Sequence, residues 1–536
     1  MDDSKATGNV GVASGPGSED YEIQTGQVGQ VVKPQRGLKT RHATMVAIGG
    51  TIGTGLFVGA GQALAAGGPA FLFLAYTIMC MLVFGIITFT AEMSAYMPIE
   101  GSTMSYFGTR YVSKSLGFAM GWLYWYSFAI IVPYEITAAA VVIDYWPNDV
   151  GVAVWITIFL VVIIACNSLP VKVYGETEFW CASLEVFMII GLLILAVILF
   201  FGGGPSPQRL GFHYWKEVAV HEKYTTGVAG RFCAFLYVMI YSTFTFNFAP
   251  ELLVITAEEM HAPRRNMPSA ARRYFYRLIV FYVCGVLAIG VIVSSNNTDL
   301  VNASGANASL WVIAIKGTGI HGLDSVVNAV IITSAWSAGN SYLYMSSRAL
   351  YSQALCGNAP KIFARCTKNG VPYMAVIATV PFILLAYMNV SNNSSEFRFR
   401  KACDVQDVKD LPYRSVLQPY MAYVCVVMFG LLCLLNGFGV FFPGNLSTTT
   451  FLTSYIGIPI FLVIYAAHRL THWKDSWAYK PEEVDLTTGL DELLALEAMY
   501  PPPATGDRRL VDQGEGPLGL KSHEALLDMT VSAIGG

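Results

Sequence analysis

Residues 44–65 read TMVAIGGTIGTGLFVGAGQALA and contain no charged side chain. An α-helix rises about 1.5 Å per residue, so a helix over this stretch would be about 33 Å long, close to the thickness of the hydrocarbon core of a bilayer. Six of these residues are glycine, which is a poor helix former. The stretch therefore predicts a membrane-spanning helix that is irregular near its middle.

Ten further apolar stretches of similar length follow along the chain. Hydrophobic residues make up 54% of the 536 residues and charged residues only 13%, whereas an ordinary soluble domain has about 25% charged residues. The sequence therefore predicts an all-α integral membrane protein. Besides 44–65, the predicted spans are residues 69–92, 117–143, 150–168, 180–201, 231–257, 275–294, 323–350, 372–389, 418–436 and 450–468.

The two ends of the chain differ from this apolar middle. Residues 1–38 are rich in Gly, Ser and acidic residues, and the other end contains Pro501–Pro503. We predict a disordered cytosolic N-terminal tail (1–38), a transmembrane domain (39–470) and a cytosolic C-terminal tail (471–536). Basic residues before the first span, and after the second, sixth and eighth, place the N-terminus in the cytosol if every span crosses, and Arg277 is counted among those that follow the sixth.

The N-glycosylation sequons give a second test of orientation, because they are modified on the outer side. The charge rule places those before Ser395 outside, yet Arg398, Arg400 and Lys401 belong inside. One crossing is therefore missing near residue 396. A wrongly assigned intron explains this, and a natural eleven-helix protein is the alternative. The sequons are at Asn296, Asn302, Asn307, Asn389, Asn392, Asn393 and Asn445.

Two predicted spans contain features that interrupt a helix. In the first span the run Gly49–Gly55, with four glycines in seven residues, weakens the helix, and backbone N–H groups freed at such a break bind a carboxylate well. Close packing of small residues is the alternative explanation. In the sixth span, Phe246–Glu251 (FNFAPE) contains Pro250, which removes a backbone donor. Two broken helices five spans apart indicate a transporter site between inverted repeats.

Three carboxylates lie inside predicted spans and away from their ends: Glu135 in the third, Glu185 in the fifth and Glu251 in the sixth. A carboxylate is costly in lipid, so each is a candidate functional group. Because such a group can bind and release a proton, we predict all three as candidates for proton coupling. A structural hydrogen bond to a neighbouring helix is the alternative for each.

Several stretches form a joint pattern over about residues 38–492. They are Ile48–Phe57 (IGGTIGTGLF), Tyr174–Glu176 with Glu178–Trp180, Ala257–Pro268, Asn340–Arg348, Gly357–Pro372 and Leu411–Ser415. Together they resemble the amino-acid/polyamine/organocation (APC) superfamily, and its fungal amino-acid permease branch in particular.

The resemblance implies a five-plus-five inverted-repeat helix bundle with broken first and sixth helices. It implies twelve spans, of which eleven are visible, and proton symport at the plasma membrane. Backbone N–H groups of the first helix would hold the substrate carboxylate, and carbonyls of the first and sixth helices would hold its ammonium group. The implied substrate-binding residues are Ile48, Gly53, Thr54, Gly55, Phe244, Asn247 and Phe248.

Two features depart from that family's pattern. Relatives have a full tenth helix where this chain has only the junction Ser395–Arg398. They also carry lysine where Glu185 stands, so the charge at this position is reversed.

The leading hypothesis is a proton-coupled amino-acid permease of broad or neutral specificity that needs no cofactor. Its partners would be the bilayer, an amino acid, a proton and trafficking machinery on the tails. A transporter of polyamine- or carnitine-like cations, with Glu135 and Glu251 as partners, is an alternative. A non-transporting amino-acid sensor and an inactive product of a faulty gene model are others. An enzyme is disfavoured, because the sequence has no nucleophile–base pairing, nucleotide-binding loop or metal-ligand spacing, and no nucleic-acid partner is expected.

Overall fold

The computed structural model of the protein describes most of the apolar part of the chain. The described residues are 42, 45, 55–98, 101–143, 145–147, 149–150, 152–204, 209–246, 249–257, 260, 263–297, 300, 309–320, 322–381, 420–442, 445, 447–480 and 482–486. Every regular element within these ranges is helical.

The helices follow one another in this order: α1 (Ala60–Tyr96), α2 (Met104–Tyr111), α3 (Lys114–Ile143), α4 (Val152–Asn167), α5 (Val171–Phe201), α6 (His213–Glu217), α7 (Gly227–Thr245), α8 (Ala249–Ala257), α9 (Pro263–Arg277), α10 (Cys284–Ile292), α11 (Leu310–Thr318), α12 (Leu323–Leu355), α13 (Tyr373–Thr379), α14 (Tyr420–Leu435), α15 (Thr448–Tyr455) and α16 (Gly457–Thr471). A π-helical turn, Gly55–Gly59, precedes α1, and another, Leu278–Val283, joins α9 to α10.

Five segments of the described chain are long and apolar enough to cross a membrane. They are Ala60–Tyr96, Lys114–Ala140, Val171–Phe201, Gly227–Ala257 and Pro263–Ile292, and three shorter apolar helices are Val154–Asn167, Tyr420–Leu435 and Gly457–Thr471. The predicted helical, multi-pass membrane protein is therefore confirmed. The number of crossings, eleven, stays a prediction.

Helix α1 contains a sharp change of direction at Gly68, between the first and second predicted spans. Gly68 has a φ of +80° and a ψ of 171°, which a residue with a side chain adopts only under strain. Pro69 follows, and Ala70 N donates to Ala219 O at 3.0 Å. A Cβ atom at position 68 would lie only 2.8 Å from that carbonyl oxygen. Only glycine fits this bend.

Helix α12 is the central packing element for α3, α4, α5 and α13. It is less apolar than the other long helices because its buried face contains many Ser, Asn and Tyr side chains. Several of these polar groups are bonded to neighbouring helices, whereas the buried side chain of Asn328 has no hydrogen-bond partner among the described residues. For example, Asn167 Nδ2 donates to Asn340 Oδ1 at 2.8 Å, and Ser346 Oγ donates to Trp125 O at 3.2 Å.

The start of the predicted C-terminal tail packs against the helical bundle. Arg110 donates through Nε to Asp485 O at 2.7 Å, and its guanidinium lies 3.0 Å from Asp485 Oδ2. Tyr96 Oη donates to Leu486 O at 3.1 Å, and the side chains of Val484 and Leu486 are buried. Residues 482–486 therefore belong to the folded bundle.

Two of the predicted sequons lie within the described residues. Asn296 follows α10 and Asn445 precedes α15, and both are exposed. Exposure is what modification requires. Asn302, Asn307, Asn389, Asn392 and Asn393 lie outside the described residues, so their modification stays a prediction.

Replacing Gly68 by alanine should destabilise the protein by about 1–3 kcal/mol, because alanine is strained at this backbone conformation and its Cβ would approach the Ala219 carbonyl. The midpoint temperature of thermal unfolding of the detergent-purified protein measures this. Gly191→Ala in α5 is the matched control, because a Cβ there meets nothing within 4 Å. Equal unfolding temperatures for the two variants would contradict the role of Gly68.

Candidate functional site

The first and sixth predicted spans touch each other where the sequence predicts their breaks. A Cβ atom on Gly55 would lie 3.2 Å from Thr245 Cα, so the two backbones are in close contact. Thr245 Oγ1 is 3.4 Å from Gly55 O, to which it donates, and 3.0 Å from Tyr76 Oη. The end of α7 is therefore fastened to both the π-helical turn and α1.

The sixth span is divided into two helices. Helix α7 ends at Thr245 and α8 begins at Ala249. Pro250 is the second residue of α8, a position where its missing N–H removes no helical hydrogen bond. Glu251 lies in the first turn of α8 and is 8% exposed. Proline thus allows a new helix to start here, and it brings a carboxylate to that start.

Aromatic side chains surround the break in the sixth span. The ring of Phe246 stacks on Tyr282 at a centroid distance of 4.4 Å and lies 5.7 Å from Tyr76. Phe244 packs edge-on against Tyr134 of α3 at 5.3 Å. These rings give the surroundings of the break an apolar wall.

The structure describes only part of the predicted substrate site. Gly55 and Phe244 lie at the break, as predicted. The other predicted substrate-binding residues, Ile48, Gly53, Thr54, Asn247 and Phe248, lie outside the described residues. The binding role of the whole set stays a prediction.

Glu251 borders a small cavity. Tyr124 Oη donates to Glu251 Oε1 at 3.5 Å. The hydroxyl groups of Thr103 and Ser105, which are 3.0 Å apart, line the same cavity. A carboxylate here has polar neighbours and room for a small molecule such as water beside it.

The other two predicted carboxylates both face α12. Glu135 of α3 is 3% exposed, and its Cβ is 3.8 Å from where a Cβ on Gly339 would be. Glu185 of α5 is 2% exposed, accepts a hydrogen bond from Ser334 and interacts electrostatically with Glu135. Glu251 is in a different place, at the start of α8. The three candidates therefore form one pair and one separate group.

The sequence analysis missed Glu178 as a candidate. The fifth span was predicted to begin at residue 180, whereas α5 begins at Val171. Glu178 is consequently inside the helix, 2% exposed, and it accepts hydrogen bonds from Ser337 and Ser341 of α12. Its spacing of seven residues from Glu185, two helical turns, was the available signal.

The sequence analysis also counted Arg277 among the charges that mark a cytosolic loop, and the structure contradicts this. Arg277 ends α9 and is 2% exposed. Its guanidinium lies 4.8 Å from the Tyr274 ring centroid and donates to Tyr282 Oη at 3.1 Å. A buried cation near buried carboxylates belongs to the interior of the bundle rather than to its surface.

Comparisons with known proteins agree with this architecture. A family model described as "Amino acid permease" matches residues 42–397 and 390–478. A proline-specific permease of Emericella nidulans is 43% identical, covering 89% of this chain and 92% of that protein. A probable proline-specific permease of Schizosaccharomyces pombe is 44% identical, covering 85% and 88%. A dicarboxylic amino acid permease of Saccharomyces cerevisiae is 39% identical, covering 85% and 80%.

The family match extends over most of the described helices, including both sides of the break in the sixth span. These relatives are similar to this chain over most of their own length, and they are transporters rather than enzymes. The chain therefore belongs to the amino acid permease family of the APC superfamily.

Proposed function

We propose that this protein is a plasma-membrane permease that takes up proline together with protons. The observation that carries the proposal is the order of similarity among its relatives. A proline-specific permease and a probable one are 43% and 44% identical to this chain, and a proline-specific permease of Saccharomyces cerevisiae is 40% identical, whereas the dicarboxylic amino acid permease is 39% identical. Proline as the main substrate replaces the broad specificity expected from the sequence.

The surroundings of the two helix breaks support a small, apolar amino acid as substrate. The proposed site binds the substrate carboxylate at the N–H groups of Gly53–Gly55. Carbonyl groups at the break in the sixth span then accept from its ammonium group. The rings of Phe244, Phe246 and Tyr282 are apolar surfaces against which a pyrrolidine ring packs favourably.

The proposed architecture has two five-helix inverted repeats and a cytosolic N-terminus. Its support is the contact between the first and sixth predicted spans at Gly55 and Thr245, together with the division of the sixth span into α7 and α8. In this orientation α5 begins at the cytosolic side and runs outward. Its middle, near Glu185, then lies at about the centre of the bilayer.

The proposed parent protein has twelve spans, one of which is absent from this chain near residue 396. The family match is divided into two segments that meet at residues 390–397. The alignment with the E. nidulans relative has 508 positions, whereas 89% of 536 residues is about 477, so about 31 positions have no counterpart here. The alignment with the S. pombe relative gives the same difference, because it has 487 positions and covers about 456 residues of this chain. One membrane-spanning helix needs about 20 residues.

The absent positions also favour a second candidate function, a non-transporting amino-acid sensor. Loss of a helix from the second repeat would leave the first repeat and both predicted helix breaks in the chain. Such a protein would bind its amino acid without moving it across the membrane.

Labelled proline should accumulate in cells that express the protein in a host without proline uptake of its own. A protonophore should abolish this accumulation, because the proton gradient drives it. Excess unlabelled proline should compete, whereas glutamate and lysine should not. Equal competition by glutamate would contradict proline specificity, and resistance to the protonophore would contradict proton coupling. Binding of proline without uptake would favour the sensor.

Replacing Gly53 by leucine should lower proline uptake by about 10- to 100-fold, the effect of losing a hydrogen bond to a charged group worth about 1.5–3 kcal/mol. Uptake is compared at equal surface expression. Gly191→Leu is the matched control, since position 191 lies in open space on α5. Unchanged uptake in Gly53→Leu would refute the site.

The transcript across the codons for Asn393–Lys401 should encode an additional apolar stretch of about 20 or more residues, enough to cross the bilayer once. Sequencing of the expressed mRNA measures this directly. A junction that matches the present sequence would show that the cell makes the shorter protein, and the sensor would then be favoured over the transporter.

A further inference from the structure

A line of polar side chains, all buried except the half-buried Cys181, follows the contact between α5 and α12. Helix α5 contributes Tyr174, Glu178, Cys181 and Glu185, which are spaced by four, three and four residues and therefore share one face. Helix α12 contributes Ser334, Ser337 and Ser341, spaced by three and four residues. We call these seven residues the polar ladder. None of them belongs to the predicted substrate site.

Hydrogen bonds connect neighbouring members of the polar ladder. Tyr174 Oη is 3.0 Å from Ser341 Oγ, and Ser341 Oγ donates to Glu178 Oε2 at 3.2 Å. Ser337 Oγ donates to the same oxygen at 2.9 Å. The Cys181 thiol lies beside Ser337.

Glu185 ends the polar ladder. One of its oxygens accepts from Ser334, and its Oε2 has no hydrogen-bond partner among the described residues. The path from Tyr174 to Glu185 rises about 16 Å along α5, at about 1.5 Å per residue. In the proposed orientation it runs from the cytosolic side to the middle of the bilayer.

The polar ladder is closed to solvent, which makes its charges costly. Both carboxyl groups are 2% exposed, and the three serines are 0–4% exposed. A neighbouring hydrogen bond stabilises a buried polar group, but an uncompensated buried charge is strongly disfavoured. The balance between carboxylates and cations therefore decides which charge state this region can hold.

Charges on adjacent helices show an excess of carboxylates. Glu178 and Glu185 interact electrostatically with each other and with Arg277, and Glu185 also with Glu135. If all three carboxyl groups were ionised, the single positive charge of Arg277 would leave a net charge of −2 among these groups. Such a charge is unfavourable in a buried region, so protons are held there. Other titratable groups around the polar ladder are Cys166 of α4, Tyr282, and Tyr342 and Tyr344 of α12. A second buried cation, Arg348 of α12, lies farther along, with its guanidinium 4.0 Å from the ring of Tyr344, which stacks on Tyr174.

We propose that the polar ladder holds and relays the transported proton, with Glu178 as its principal proton-binding group. This inference rests on the proposed proton-coupled function and gives it a location. The proton enters at Glu185 near the centre of the bilayer and leaves past Tyr174 toward the cytosol. Glu178 is a residue that the sequence analysis did not select.

Each step of the relay conserves protons. A carboxyl group gives its proton to a neighbouring serine oxygen while that serine gives its own hydroxyl proton to the next acceptor. The serine is unchanged afterwards, the first carboxyl group has become a carboxylate, and the second has become protonated. The Ser337 and Ser341 hydroxyls that donate to Glu178 Oε2 are placed for such an exchange at Glu178, and the Ser334 hydroxyl is placed for it at Glu185.

The test uses the protein reconstituted in liposomes with an imposed pH gradient. Proline accumulation and proline-dependent proton entry are measured, together with proline counterflow without a gradient. In Glu178→Gln we expect gradient-driven accumulation to fall about tenfold or more, as for loss of a hydrogen-bonded charged group. Proton entry should be lost, whereas counterflow should remain, because the substrate site is unchanged.

Glu176→Gln is the matched control. Glu176 is on the same helix two residues away, is 35% exposed and lies 3.1 Å from His42 Nε2. The Glu176→Gln variant should keep proline-dependent proton entry at the level of the unchanged protein. The double variant Ser337→Ala/Ser341→Ala keeps both carboxyl groups and should also lower proton entry, so the proposal remains testable if Glu178→Gln does not fold.

The outcomes separate this proposal from the proposed function. If the unchanged protein shows no proton-dependent proline uptake, the proposed function is wrong and the polar ladder does not couple transport. If the unchanged protein is coupled, and Glu178→Gln or the double serine variant still moves protons with proline in the same ratio, only the polar ladder is overturned. Loss of coupling in Glu176→Gln as well would also overturn the specific role of the polar ladder.

Discussion

A polar group inside a bilayer cannot form a hydrogen bond with water, and the arrangement of the helices in this protein follows from that constraint. Helix α12 contains a large number of buried serine, asparagine and tyrosine side chains, and it lies at the centre of the bundle, where α3, α4 and α5 contact it. Asn340 is bonded to Asn167, and Ser337 and Ser341 are bonded to Glu178. The most polar of the long helices is thus the one that its neighbours surround.

The same constraint explains why the irregular backbone lies where it does. Helix α7 ends inside the protein, and the hydroxyl of Thr245 satisfies the carbonyl of Gly55 and meets Tyr76. Because glycine at position 55 lets the two backbones approach, the interrupted spans can meet. The bend at Gly68 is held similarly, by the hydrogen bond from Ala70 to the loop carbonyl of Ala219. Each break in a helix is matched by a partner from another part of the chain.

The buried charges are divided between two places. Glu251 lies at the start of α8, next to Tyr124 and the helix breaks, whereas Glu135, Glu178 and Glu185 interact around α12 and Arg277. A site for a zwitterionic substrate and a separate path for a proton are thus compatible within one bundle. Helices α3 and α12 connect the two places, because α3 carries both Tyr124 and Glu135 and packs along α12.

Length, hydropathy and the glycine and proline positions determined the membrane class, most of the helices and the interruption in the sixth span, and the resemblance of several motifs indicated the family. These features depend on local properties of the chain, which can be read directly from the sequence. The tertiary structure decided which polar residues meet. The sequence analysis placed Arg277 at the surface and left Glu178 outside its span, because the end of a span is poorly marked when polar residues occupy the first turns. Only the packing of α5 on α12 shows that those turns face serines instead of water.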